Sequence, residues 1–141
     1  ATRDGLTLTT APTVPPRQTV LIVDDSESAS STLLALLSSK DLNLPVACHG
    51  EEAIAEAIRL QPDLILLDVM MPKMDGLDVL DRLQSDPATR SIPVVILSAK
   101  ALPEDVQAGL SRGARAYLTK PFDALHLEER LDDVLGAASG S

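Results

Sequence analysis

The stretch "ILLDVMMPKMDG", Ile65–Gly76, decides the fold because it shows how one strand gives way to one helix. The stretch begins with an unbroken aliphatic run, Ile65–Leu67, which is typical of a strand that is covered on both faces. Asp68 ends the run, and Pro72 with the Asp75-Gly76 pair delays the next helix by several residues. Asp75 is the better cap for that helix. Asp68 therefore stands at the end of a buried strand without a capping role.

The same alternation of apolar run and helical pattern repeats along the chain. The runs are "TVLIV" (19–23), "PVAC" (45–48), "DLILL" (63–67), "PVVIL" (93–97) and "RAYLT" (115–119). The helical patterns cover about 26–39, 50–60, 76–85, 103–112 and 123–135. Five β-α units in strict alternation predict a doubly wound α/β domain with a five-stranded parallel sheet, five helices and strand order 2-1-3-4-5. "PVAC" and "RAYLT" are the weaker runs and are expected nearer the sheet edges.

The ends of the chain lack this periodicity. Residues 1–18 are rich in Thr and Pro, and we interpret them as a flexible tail or linker. Residues 136–141 are interpreted as a second flexible tail. The folded domain is therefore expected over 19–135.

The composition excludes several classes of function. The net charge is −9 with no run of Lys or Arg, which argues against direct binding of nucleic acid or anionic lipid. Tyr117 and Phe122 are the only aromatic residues, so a site that stacks bases or flavin rings is not expected. One cysteine, Cys48, excludes an internal disulfide and a cysteine-based zinc site with the scattered His49 and His126. No apolar run approaches the roughly 18 residues that span a bilayer, and a cytoplasmic setting is expected.

Polar residues follow four of the five predicted strands. Asp24 and Asp25 follow the first, Asp68 the third, Ser98 the fourth and Lys120 the fifth. In doubly wound sheets, ligands bind outside the carboxyl ends of the strands, where the strand order reverses. An aspartate after a strand is most often a helix cap, and Asp24 or Asp25 could serve so, although Ser26 could cap that helix alone.

Three carboxylates at one sheet edge need a compensating charge. Two of them about 5 Å apart repel by roughly 3 kcal/mol at an effective dielectric near 20. Oxygen ligands without cysteine favour a hard cation, Mg²⁺ or Mn²⁺, and Lys120 adds a point charge suited to pairing with a carboxylate or phosphoryl oxygen. Asp68 is single and opposite the acidic pair, so it is the better nucleophile, giving an aspartyl phosphate. The Ser98 hydroxyl and loop N–H groups are candidate donors to the phosphoryl oxygens.

These motifs in this order resemble the receiver domain of two-component response regulators, a flavodoxin-like fold, over nearly the whole chain apart from the tails. The resemblance is carried by "LIVDDSE", "ILLDVMMPKMDG", "VVILSAK" and "GARAYLTKPF". It implies that Asp68 accepts phosphate from a phosphohistidine and that Lys120 contacts the phosphoryl group. The implied Mg²⁺ ligands, with Mn²⁺ able to substitute, are Asp24, Asp25, Asp68 and the backbone carbonyl of Met70. The implied switch residues are Ser98 and Tyr117.

The resemblance also implies the partners. The phosphate donor is a histidine kinase or a histidine phosphotransfer protein, and the output surface comprises the fourth helix, the last strand and the fifth helix. The domain is then a signalling module that catalyses its own phosphorylation and dephosphorylation rather than an enzyme acting on other substrates. A stand-alone regulator and the receiver of a hybrid histidine kinase both remain open, and the downstream partner is not indicated.

Three other functions fit the pattern less well. A haloacid-dehalogenase-like phosphatase needs a second aspartate two residues after the nucleophile, where Met70 stands. A flavin carrier of similar fold needs aromatic residues around its ring. A receiver that only docks partners would lack the complete acidic set. The loop residues Met70, Met71 and Met74 are interpreted as packing, and Leu34 is either a docking residue or an ordinary exposed leucine.

Overall fold

The computed structural model describes residues 18–24, 27–37, 42–68, 76–99, 102–120 and 124–140. The predicted tail before residue 18 lies outside these ranges. So do two of the predicted metal ligands, Asp25 and Met70. The predictions made for them stay predictions.

Strands and helices alternate along the chain as predicted. The strands are β1 (Gln18–Val23), β2 (Leu42–Asn43), β3 (Val46–Ala47), β4 (Leu64–Asp68), β5 (Val94–Ser98) and β6 (Ala116–Thr119). The helices are α1 (Glu27–Leu36), α2 (Gly50–Leu60), α3 (Gly76–Ser85), α4 (Pro103–Ser111) and α5 (Ala124–Gly140). The predicted bounds of α2 and α3 are confirmed to the residue. Among the described helices none is both long enough and apolar enough to cross a membrane.

The strands form one parallel sheet in the order β2-β1-β4-β5-β6, with β3 also paired to β1. The doubly wound α/β class is therefore confirmed. The predicted edge strand at 45–48 is observed as β3, and β2 is an additional short strand before it that was not predicted. Both pair with β1 in one continuous register, Gln18↔Leu42 and Ile22↔Val46. Pro45 lies at the break, where it supplies no N–H although its carbonyl accepts a 2.8 Å hydrogen bond from the Ile22 N–H.

Alternate residues of the central strands supply two apolar cores, one on each face of the sheet. The first core combines strand residues such as Leu67 and Ile96 with the inner faces of α2 and α3. The second combines residues such as Leu66 and Leu97 with α1 and α5. Each fully buried Leu or Ile side chain stabilises the folded state by about 1.5–3 kcal/mol relative to an exposed one. Because β1, β4 and β5 are covered on both faces, their ends are held rigidly.

Two helices differ from the predicted details. Leu34 of α1 is half-buried and packs against the second core, which favours a packing role over docking. Helix α5 runs to Gly140, beyond the predicted helix end at 135 and through residues assigned to a tail. Gly136 does not end the helix, and Ala137 and Ala138 that follow it have the highest helix propensity.

Candidate functional site at the carboxyl edge of the sheet

The sheet register brings the predicted site residues to one edge. Val23 pairs with Leu67, so Asp24 and Asp68 are the next residues on neighbouring strands. Asp68 in turn pairs with Leu97, one residue before Ser98. Neighbouring strands lie about 4.8 Å apart, which places the side chains of Asp24 and Asp68 within reach of each other.

Both described carboxylates of the site are buried. Asp24 is 2% exposed and Asp68 is 7% exposed. The Asp24 N–H donates to the Ala47 carbonyl at 3.0 Å, which continues the sheet pairing beyond the end of β1. Burial removes water that would otherwise screen their charges, so a positive charge beside them is stabilising.

Lys120 supplies such a charge. Its Nζ lies 3.3 Å from Oδ2 of Asp68, and the two side chains are 32% and 10% exposed. The Lys120 backbone N–H also donates to the Ser98 carbonyl at 2.8 Å, which fixes the residue to the end of β5. The predicted convergence of Lys120 on Asp68 is therefore present in the structure. We did not predict the backbone bond, because no side-chain pattern encodes it.

Ser98 and Tyr117 lie on the same face of the sheet. Tyr117 pairs with Ile96, and Ser98 is two residues further along β5, so the three side chains project from one side. Ser98 is 0% exposed, and Tyr117 is half-buried against the first core. The structure thus places both predicted switch residues on adjacent strands and on one face of the sheet, with Ser98 hydrogen-bonded through its carbonyl to Lys120.

Gly109 of α4 also belongs to this region, and the sequence interpretation missed it. A β-carbon added there would lie 3.0 Å from Cδ2 of Tyr117. A glycine inside a helical pattern costs helix stability, and that cost was the signal that could have identified it.

The buried carboxylates fit a hard divalent cation, because Mg²⁺ is usually bound through one or two carboxylates together with waters. Within the described ranges, no group of three or more His, Cys, Asp or Glu residues is placed to hold a metal. Asp25 and the Met70 carbonyl, which complete the predicted set, lie outside those ranges. His49, His126 and Cys48 are exposed.

Comparisons with known proteins point to one family. The family model described as response regulator receiver domain matches residues 20–132. The response regulator PleD of Caulobacter vibrioides is 45% identical over 112 residues, which cover 79% of this chain and 25% of that protein. The DNA-binding dual master transcriptional regulator RpaA of Synechocystis sp. is 40% identical over 116 residues, which cover 82% of this chain and 48% of that protein. The chain thus spans about half or less of the length of these two relatives.

A solved structure agrees with these sequence relatives. The receiver domain of the sensor histidine kinase PA1611 from Pseudomonas aeruginosa PAO1 was solved with a magnesium ion coordinated in its active site cleft. It is 29% identical, has a TM-score of 0.79, and the match covers 86% of this chain and 99% of that one. Since the family match extends over most of the sequence, the chain belongs to the response regulator receiver domains of two-component signalling.

Proposed function

We propose that this receiver accepts a phosphoryl group on Asp68 and then changes its partner-binding surface. The observation that carries the proposal is the contact between the buried Asp68 carboxylate and Lys120, with Asp24 on the neighbouring strand. A buried carboxylate beside a lysine is a suitable nucleophile because the lysine offsets the charge that an incoming phosphoryl group adds.

The chemistry of the transfer is a displacement at phosphorus. A carboxylate oxygen of Asp68 attacks the phosphorus of a phosphohistidine, and the P–N bond breaks with its electron pair remaining on the imidazole nitrogen. The Lys120 ammonium stabilises the negative oxygens of the phosphoryl group, and the Ser98 hydroxyl donates to one of them. Water later attacks the same phosphorus and releases inorganic phosphate, which returns the carboxylate of Asp68. The domain thereby catalyses its own phosphorylation and dephosphorylation.

Mg²⁺ is the proposed cofactor, and Mn²⁺ is expected to substitute for it. Asp24 and Asp68, with Asp25 and the Met70 carbonyl, would hold the ion. When bound, it neutralises negative charge on the phosphoryl oxygens. Two observations support this proposal: the buried carboxylates offer only oxygen ligands, and the related PA1611 domain has magnesium in its active site cleft.

The proposed donor is a histidine kinase or a histidine phosphotransfer protein in the cytoplasm. The proposed output surface is formed by α4, β6 and α5, and Tyr117 is part of β6. Phosphorylation draws Ser98 toward the phosphate and shifts Tyr117, so that one arrangement of this surface is favoured over another. The negative net charge of −9 supports a protein partner for this domain rather than direct contact with nucleic acid.

The test is phosphorylation by a small donor. The chain is incubated with Mg²⁺ and acetyl phosphate, and its intact mass is measured. We expect one added phosphoryl group on the wild type, none on Asp68→Asn, and little labelling when EDTA replaces Mg²⁺. The control Asp78→Asn, at an exposed position of α3, should label normally.

Stoichiometric labelling of Asp68→Asn would show that Asp68 is not the acceptor. Steady hydrolysis of p-nitrophenyl phosphate would instead indicate a phosphatase. A wild type that neither labels nor responds to Mg²⁺ would indicate a receiver that only docks its partners.

A further inference from the structure

Helix α4 is attached to the domain differently from its neighbours. Of its 9 residues, all of which the structure describes, Gly109 is the buried one. Its apolar residues Val106 and Ala108 are only half-buried, and Leu110 is 39% exposed. Helices α2 and α3, by contrast, insert several fully buried apolar side chains into the first core. Helix α4 therefore packs through its backbone at Gly109 rather than through a large apolar side chain.

The space beside Gly109 is filled by its neighbours. A β-carbon built on this residue would lie 2.7 Å from Cδ1 of Ile96, and 3.0 and 3.2 Å from Cδ2 and Cε2 of Tyr117. Real β-carbons essentially never show a contact as short as the 2.7 Å to Ile96, so the end of that side chain would have to move. The 3.0 and 3.2 Å contacts would require the Tyr117 ring to shift by a few tenths of an ångström. The end of the Ile96 side chain and the ring edge of Tyr117 thus together occupy the volume that a side chain at position 109 would fill.

The end of α4 is fixed at the same place. The Ala114 N–H donates to the Gly109 carbonyl at 3.2 Å, and the Gly113 N–H donates to the Leu110 carbonyl at 3.1 Å. This pair of bonds is a Schellman motif, with Gly113 at φ 111°. The chain then enters β6 within a few residues. Gly109 and Tyr117 are therefore joined by a short connection whose start is fixed by the two hydrogen bonds.

We propose that Gly109 is a positioning residue that sets the place of the Tyr117 ring and couples the ring to α4. The bare backbone at Gly109 allows the ring to pack between α4 and β5. Because α4 has no large buried side chain of its own, the helix follows when the ring leaves this position. This inference rests on the proposed switch role of Tyr117 and adds the residue through which that switch reaches α4.

The test uses the natural fluorescence of the chain. The sequence contains one tyrosine and no tryptophan, so tyrosine emission reports on Tyr117 alone. In the unphosphorylated protein, Gly109→Ala should change the acrylamide quenching constant about twofold, because the half-buried ring must shift relative to α4 to make room for the new methyl group. Ser111→Ala, at an exposed position of the same helix, is the matched control and should leave quenching unchanged.

A second variant keeps the test decisive if Gly109→Ala folds poorly. Adding Ile96→Val removes Cδ1, the atom nearest to the introduced methyl group, and keeps the two contacts with the Tyr117 ring. Quenching should still change in this double variant. Wild-type quenching in both folded variants would overturn the proposal.

Coupling is then measured after phosphorylation with Mg²⁺ and acetyl phosphate. We expect the wild type to show a shift in tyrosine emission and Gly109→Ala to lose most of it while still gaining the phosphoryl mass. An equal shift in a labelled Gly109→Ala would refute the coupling. A wild type that takes up no phosphate would refute the proposed function instead, while the quenching data would still decide the role of Gly109.

Discussion

Replacing Asp24 with asparagine should make the metal-free domain more stable. Asp24 and Asp68 are buried at the ends of neighbouring strands. Like charges about 5 Å apart repel by roughly 3 kcal/mol at an effective dielectric near 20. Lys120 offsets part of this repulsion through its 3.3 Å contact with Asp68. Asn keeps the volume and removes the charge, so we expect the free energy of unfolding to rise by about 1–3 kcal/mol.

Mg²⁺ should remove most of this difference. A ligand at 100 times its dissociation constant stabilises the folded state by about 2.7 kcal/mol, and Asp24→Asn should lose most of this gain. The assay is urea unfolding of wild type and variant, each in EDTA and in excess Mg²⁺. Asp133→Asn is the control, because it removes the same charge from the exposed face of α5.

Two results would refute the reasoning. In EDTA, an Asp24→Asn variant that is no more stable than wild type would show that the repulsion between the carboxylates is negligible. A stabilisation by Mg²⁺ that matches the wild type would show that Asp24 does not contribute to a metal site.

Two further predictions concern structure away from the carboxylates. Gly113→Ala should lower the free energy of unfolding by about 2 kcal/mol, measured by urea titration. The reason is that φ 111° strains an L-residue and that the new methyl group would lie 2.8 Å from Cδ of Gln84. A variant as stable as the wild type would contradict this. Arg82→Gln should remove the hydrogen bond and charge that hold the pKa of Glu51 below its ordinary 4.5. A folded-state pKa below the ordinary value stabilises the protein above pH 4.5, and this stabilisation is lost as the pH falls through the lowered pKa. Wild type should therefore have the higher Tm at about pH 7, and the two proteins should converge once the pH is below the lowered pKa. A difference that stays constant with pH would contradict this.

Most of the fold was predictable because three aliphatic runs have no polar alternation. The runs at 19–23, 63–67 and 93–97 place apolar side chains on both faces of a strand, so both faces must be buried. They form β1, β4 and β5. The presence of Pro45 could have predicted an interruption of the edge strand. Its effect, however, depends on which edge of the strand faces β1, and that is a property of the assembled sheet.

The site was predictable to the extent that strand ends define it. Asp68 and Lys120 are far apart in sequence but follow strands of one parallel sheet, so their contact follows from topology. The ion pairs Glu51–Arg82 and Asp81–Arg112 were not predictable, because each depends on how two helices sit on the sheet. The contact between Gly109 and Tyr117 was missed for the same reason.

The break at Pro45 has a consequence for how this domain behaves at high concentration. A long regular edge strand exposes a row of N–H and C=O groups that can recruit another chain and begin aggregation. Here that edge consists of two pairs of residues, Leu42–Asn43 and Val46–Ala47, separated by Leu44 and Pro45. An incoming strand would find no continuous ladder to extend. The shortness of these two strands thus protects the side of the sheet nearest to the acidic site against strand addition.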